Sequence, residues 1–147
     1  NVSVERTHHR DQQLGTVACR EALAAAGMGN YGVGAVLVDP NGTVVGQGQN
    51  SVFFPHFRSD LHAEMVVMNA FEERYPAIDN MRGYTLVCSL EPCPMCLARL
   101  LVAGVQTVKF LAHDALAGMV GQAISSLPPG SGSGSDRSSS RPTYPTA

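Results

Sequence analysis

The chain holds a single lysine, Lys109, and nowhere a run of basic residues. Proteins that grip long nucleic acid usually present a basic face, so this scarcity argues against a polynucleotide partner. Ten Lys and Arg against 12 Asp and Glu leave a formal charge of −2. Long apolar runs are lacking too. The longest, Cys96 to Val105, is broken by Arg99 and falls short of the roughly 18–20 residues a membrane helix needs. The stretch from Asn1 to Asp11 is polar and has no signal-peptide core. A soluble, cytoplasmic protein with no membrane partner is therefore expected. The 147 residues are 44% hydrophobic and 15% charged. That composition excludes a disordered chain, a collagen and a coiled coil, and the length suits one domain.

Cysteine is sparse but patterned. Cys93 and Cys96 form a C-x-x-C directly after Pro92, while Cys19 and Cys88 stand apart. Four cysteines can make two disulfides in a small secreted domain. This spacing, in a chain with no export signal, favours a metal site or a redox pair instead. Cys19 and Cys88 read as inert buried thiols.

The C-terminal end changes character. From Pro128 to Ala147, 4 Pro, 3 Gly and 6 Ser make 13 of 20 residues loop formers. Such Gly/Ser alternation behaves as a flexible linker. Residues 1–127 are the expected folding unit and 128–147 a flexible tail. Within the unit, Leu14, Val17, Ala18, Ala22 and Ala25 fall at helical steps and predict a helix over 11–26. Val33 to Val38 is a continuous apolar run, as in a strand buried on both faces. The turn Asp39-Pro40-Asn41-Gly42 leads to a paired strand over 43–49. A helix is predicted over 61–74, capped by Ser59 or Asp60, then a strand over 84–88. Pro92 and Pro94 start a helix ending at Gly104, followed by a strand over 105–111 and a helix over 114–127. The order α-β-β-α-β-α-β-α predicts an α/β domain with a mixed sheet and helices on its faces.

Two short segments carry chemistry: His62-Ala63-Glu64 and Pro92-Cys93-Pro94-Met95-Cys96. Each sits at a predicted helix start, where free N–H groups stabilise thiolate, the form that binds metal. A step of three places both sulfurs on one helical face. One His and two Cys leave one position of a tetrahedral zinc site open, the pattern of catalytic zinc. Glu64 at the first turn can move protons for a water at that position. A structural zinc with Cys88 or His56 as fourth ligand would leave Glu64 without a purpose. A redox pair would leave His62-Ala63-Glu64 unexplained.

These segments occur together with Gly34-Ala35-Val36-Leu37-Val38, Gly46-Gln47-Gly48-Gln49-Asn50 and Leu90-Glu91. Their combination and order resemble the cytidine and deoxycytidylate deaminase superfamily, in the branch of bacterial guanine deaminases, cytosine deaminases and tRNA adenosine deaminases. H-x-E followed by P-C-x-x-C is the signature of zinc nucleobase deaminases. The similarity runs from about residue 11 to residue 121. It implies a three-layer α/β/α fold and one zinc per chain on His62, Cys93 and Cys96, with Glu64 as proton shuttle. It also implies that Asn50 bonds the base, that the Ala63 N–H meets a ring acceptor, and that the carbonyl of Ser89 or Leu90 accepts from the leaving amino group. Asp114 resembles the aspartate that follows the fourth strand across this branch. Phe54, His56 and Phe57, with Phe53, form either a base-stacking wall or a hydrophobic plug. Glu91 either holds the cysteine loop or is a surface acid.

The family continues into a helix and a fifth strand, whereas this chain turns Gly/Ser-rich at Pro128. The fifth strand is thus expected to be missing or replaced, leaving an open sheet edge or one covered by a neighbouring subunit. A homodimer or larger assembly is expected on that ground and from the apolar surface expected near the zinc helices. The expected reaction is hydrolytic deamination of an aminated nucleobase with release of ammonia. The charge favours a small molecule, a free base or nucleoside of the guanine or cytosine type. Against guanine, Gly118-Met119-Val120-Gly121 lacks the acidic residue those deaminases carry there. The alternatives are an adenosine or cytosine deaminase acting on tRNA or single-stranded nucleic acid, and a catalytically silent binding module of the same fold.

Overall fold

The computed structural model describes residues 3–6 and 11–116. Among these residues the elements are β1 (Ser3–Arg6), α1 (Gln12–Gly27), β2 (Gly34–Val38), β3 (Val44–Gln49), α2 (Ala63–Arg74), β4 (Thr85–Leu90), α3 (Pro94–Ala103) and β5 (Thr107–Ala112). The strands form one mixed sheet in the order β1-β5-β4-β2-β3. β2 runs antiparallel to β3 and β4, while β5 is parallel to both β4 and β1. β4, α3 and β5 make the expected parallel crossover.

β2 is buried along its whole length because helices cover both faces of the sheet. Its period of two divides the core. Ala35 and Leu37 pack with Val67, Met68, Phe71 and Leu100 of α2 and α3. Val36 and Val38 pack with Leu14, Val17 and Ala18 of α1. The result is the expected three-layer α/β/α arrangement. Two glycines set how closely the layers approach. A Cβ at Gly34 would overlap the Ala18 carbonyl oxygen, and one at Gly48 would lie 2.9 Å from Val67 Cγ2. Gly34→Ala is therefore expected to cost about 2–3 kcal/mol through overpacking. Gly27→Ala, which meets nothing within 4 Å, changes stability by less than about 1 kcal/mol. Urea midpoints of the two variants separate these outcomes, and equal midpoints would contradict the close approach of α1.

The structure corrects the reading of the N-terminus and of the missing strand. The polar segment Ser3–Arg6 is a strand, and it pairs with β5 in the register Ser3↔Thr107 to Arg6↔Phe110. It has no apolar alternation from which a strand could be predicted, and the β5 edge supplies its ladder. The edge beyond β5 is thus covered by β1, so an open edge there is no ground for a dimer. α2 also starts later than predicted. His62, not Ser59 or Asp60, occupies the cap position. Asp60 is engaged instead with Arg58, Nε to Oδ1 and Nη2 to Oδ2, both at 2.9 Å. The helix expected over 114–127 extends beyond the described residues, and the boundary at 127/128 lies outside them. No helix among the described residues is long and apolar enough to cross a membrane.

Candidate metal centre and cleft

Two helix starts converge beyond the carboxyl end of β4. His62 caps α2 and Cys93 caps α3, each with extended backbone and no side-chain cap bond. Their side chains turn toward one another, placing Cys93 Sγ 3.5 Å from His62 Nδ1. Pro94 takes the first turn of α3, where its missing N–H costs nothing. Cys96 follows within that first turn and is buried. The ligand atoms of His62, Cys93 and Cys96 all lie within 4.8 Å of one another, a proximity found in no other such group among the described residues. One imidazole nitrogen and two sulfurs suit zinc, and three ligands leave a fourth position for water. The donor set and its spacing therefore fit one zinc ion.

The protons at this site are unevenly held. A hydrogen bond from the Cys96 thiol, aided by the backbone N–H groups of Cys96 and Met95 and by His62, lowers the Cys93 pKa to about 5. The same shared proton, together with burial, pushes the Cys96 thiol upward. Zinc binding at pH 7 is thus expected to displace about one proton, that of Cys96, since ligands bind as thiolates. Calorimetry in buffers of different ionisation enthalpy counts it. Release of no proton would contradict the assignment of Cys96 as the thiol of the pair.

Glu64 stands beside these ligands on the first turn of α2 and is only 4% exposed. Its Oε2 lies 3.4 Å from Cys96 Sγ, within reach of the one thiol proton that Cys96 shares with Cys93. Burial raises its carboxyl above the ordinary carboxylate range. Cys88 is fully buried on β4, and burial followed by the nearby Glu64 carboxylate pushes its thiol well up. That favours a neutral thiol rather than a fourth ligand.

His62, Glu64 and Cys93 open onto a cleft of about 420 Å³, and Asn50, Leu90 and Asp114 line it with them. Asn50 is buried at the end of β3, and its Oδ1 accepts the Val52 N–H at 3.1 Å. Its Nδ2 is the donor it can offer to a base. Tyr31, Val33, Glu91 and Leu116 complete the lining, and Tyr31, Val33 and Leu116 carry no sequence signal for that role. Glu91 is a buried acid rather than a surface one. Its Oε2 accepts the Asp114 N–H at 3.2 Å and pairs with His113 Nδ1 at 3.3 Å. Glu91 thereby fixes the turn that brings Asp114 to the cleft.

The remaining residues expected at the substrate do not line the cleft with their side chains. Phe54, His56 and Phe57 lie outside the cleft lining, as do Ala63 and Ser89. Phe54 and Phe57 are exposed, because the loop that carries them faces water. Ala63 is the first residue of α2, and its side chain is buried in the core. The Ser89 hydroxyl accepts the Gly34 N–H at 3.0 Å and so ties β4 to β2.

Known proteins share this arrangement. The family described as the cytidine and deoxycytidylate deaminase zinc-binding region matches residues 8–112. A tRNA-specific adenosine deaminase of Bacillus subtilis is 37% identical over 112 residues, covering 75% of this chain and 66% of that protein. The chloroplastic tRNA(adenine(34)) deaminase of Arabidopsis thaliana is 38% identical over 125 residues, covering 83% of this chain and 9% of that protein. The chain thus spans less than two thirds of either relative. A solved structure from work on A-to-I editing by tRNA:A34 deaminases superimposes with a TM-score of 0.72 at 27% identity, covering 82% of this chain and 92% of that one.

Proposed function

Since the chain belongs to the cytidine and deoxycytidylate deaminase family, we propose that it is a zinc-dependent hydrolase that converts adenosine to inosine in a single-stranded loop of tRNA. The observation that carries this reading is the likeness to tRNA adenosine deaminases across the whole described site, at 37% and 38% identity. The small-molecule reading rested on the likeness of Glu91-Pro92-Cys93-Pro94-Met95-Cys96-Leu97 to guanine deaminases and on charge. Net charge is a property of the whole surface and does not report how one loop is held at one cleft. A cleft of about 420 Å³ suits a single base taken out of its stack, and it serves a free base or a flipped one equally.

Zinc held by His62, Cys93 and Cys96 would supply a Lewis acid that lowers the pKa of water at the open position. The chain's own groups do the rest. Glu64 Oε2 takes a proton from the attacking water and delivers it toward the departing amino group. A buried carboxyl whose pKa is raised suits both halves of that transfer. A C6–O bond forms from the water oxygen and the C6–N bond of adenine breaks; the oxygen stays as the C6 carbonyl, one water proton leaves with the amino group as ammonia and the other ends on the ring nitrogen N1. Asn50 Nδ2 orients the ring from the side, and the Leu90 carbonyl accepts from the leaving amino group. Asp114, held by Glu91, closes the end of the cleft.

Inosine formation distinguishes the candidates. Zinc-loaded protein is given an RNA stem-loop with adenosine at the wobble position, free adenosine, guanine and cytosine. The stem-loop is expected to be preferred in kcat/KM by on the order of 10³-fold or more, because contacts outside the base contribute to transition-state binding. Preference for a free base would overturn the tRNA reading and restore the small-molecule one.

A further inference from the structure

We propose that Tyr31, Phe53 and Phe57 form a stacking platform for the nucleotides that flank the target base, with Asn30 as its positioning residue. This rests on the reading of the substrate as single-stranded RNA. Tyr31 lines the cleft and is 56% exposed, while Phe53 is 47% and Phe57 68% exposed. The rings succeed one another away from the cleft. Tyr31 and Phe53 centroids are 5.2 Å apart, and Phe53 and Phe57 are 6.2 Å apart.

Apolar rings in water usually signal a loop that can collapse onto something. This loop is pinned. Asn30 Oδ1 accepts the N–H groups of both Phe53 and Phe54, at 2.8 and 2.9 Å. The Arg58 N–H donates to the Val52 carbonyl at 2.7 Å, and the Ser51 N–H to the Leu61 carbonyl at 2.9 Å. Buried Val52 anchors the near end. Asn30 itself is buried, and its Nδ2 has no partner, so the side chain is kept for what its oxygen holds. The backbone therefore holds Phe53 beside Tyr31 at the cleft, with Phe57 next to Phe53.

The occupant follows from chemistry and continuity. A base leaving the stack to enter the cleft leaves its neighbours with exposed faces at the rim. Aromatic side chains accept such faces whatever the base. The one cation on the loop is already paired, Arg58 with Asp60, so this surface holds by stacking rather than by phosphate contact. That reconciles an RNA substrate with a chain carrying one lysine and a charge of −2.

The test uses zinc-loaded, full-length protein and an RNA stem-loop with 2-aminopurine beside the target adenosine. Binding is expected to quench the 2-aminopurine. Phe53→Ala and Phe57→Ala are expected to relieve the quench and to raise KM for the stem-loop roughly 5- to 100-fold with kcat little changed. The slope of log KM against log salt should stay as in the wild type, since no phosphate contact is lost. Phe53→Tyr should restore both quench and KM. Unchanged KM and quench in both alanine variants, with the RNA still deaminated, would overturn the platform and leave the proposed function standing. Deamination of free bases with none of RNA would overturn both. Wild-type dimers that Phe53→Ala converts to monomers in sedimentation would assign the rings to a second copy and overturn the platform.

Discussion

Glu64→Gln is expected to lower kcat by about 10²- to 10⁴-fold, the usual contribution of a positioned acid–base group. Zinc content should not change, because the ligands are His62, Cys93 and Cys96 and none of them is altered. The amide keeps the volume of a side chain that is almost wholly buried, so packing cannot account for the loss. Metal analysis beside single-turnover kinetics separates the two effects. Full turnover in the variant would remove Glu64 from its proton-moving role and leave a zinc protein of the same fold.

The same substitution has a consequence for stability. Burial holds the Glu64 carboxyl above its ordinary value of 4.5. A folded-state pKa that is raised contributes stability that is complete below the unfolded value and is lost as pH rises through the folded one. Glu64 therefore makes the metal-free chain less stable at pH 8 than at pH 5. Glu64→Gln removes that contribution, so the variant's urea midpoint is expected to fall less between pH 5 and pH 8 than the wild type's.

Cys96→Ala is expected to abolish turnover by a different route. Losing a partner outside the ligand set already weakens metal binding by about 10- to 100-fold, and losing one of three ligands weakens it further. Cys96 Sγ also lies 3.4 Å from Glu64 Oε2, so its removal disturbs the surroundings of the proton-moving group as well. Zinc stabilises whatever folded state binds it. Added zinc should therefore raise the melting temperature of the wild type and leave that of Cys96→Ala where chelation puts it. A variant that still gains stability from stoichiometric zinc would mean that another cysteine serves as ligand.

The site was legible in the sequence because its chemistry is local. The ligands sit at helix starts marked by short motifs, and Pro94 fixes where α3 begins. Asn50 and Leu90 were offered by the family resemblance; Asn50 directly follows β3, and Leu90 ends β4, which runs two residues past the predicted strand. What was hidden depends on distant partners. β1 is Val4 among three polar residues, and the strand it pairs with among the described residues is β5, about a hundred positions later. Tyr31 reaches the cleft from the connection between α1 and β2, and Leu116 from the segment after β5. The aromatic loop was noticed by composition, but the hydrogen bonds to Asn30 decide which way it points. The choice of substrate leaned on a count of lysines and arginines, which reports the whole surface and not how one cleft is lined.

X-ray absorption at the zinc edge of the purified, zinc-loaded protein is the measurement that bears most directly on the centre. Ligation by His62, Cys93 and Cys96 with a fourth position left to solvent predicts two sulfurs at about 2.3 Å and two nitrogen or oxygen neighbours at about 2.0 Å. Three or four sulfurs would mean that Cys88 or Cys19 closes the site, and a closed zinc is a structural one with no place for the water this chemistry needs.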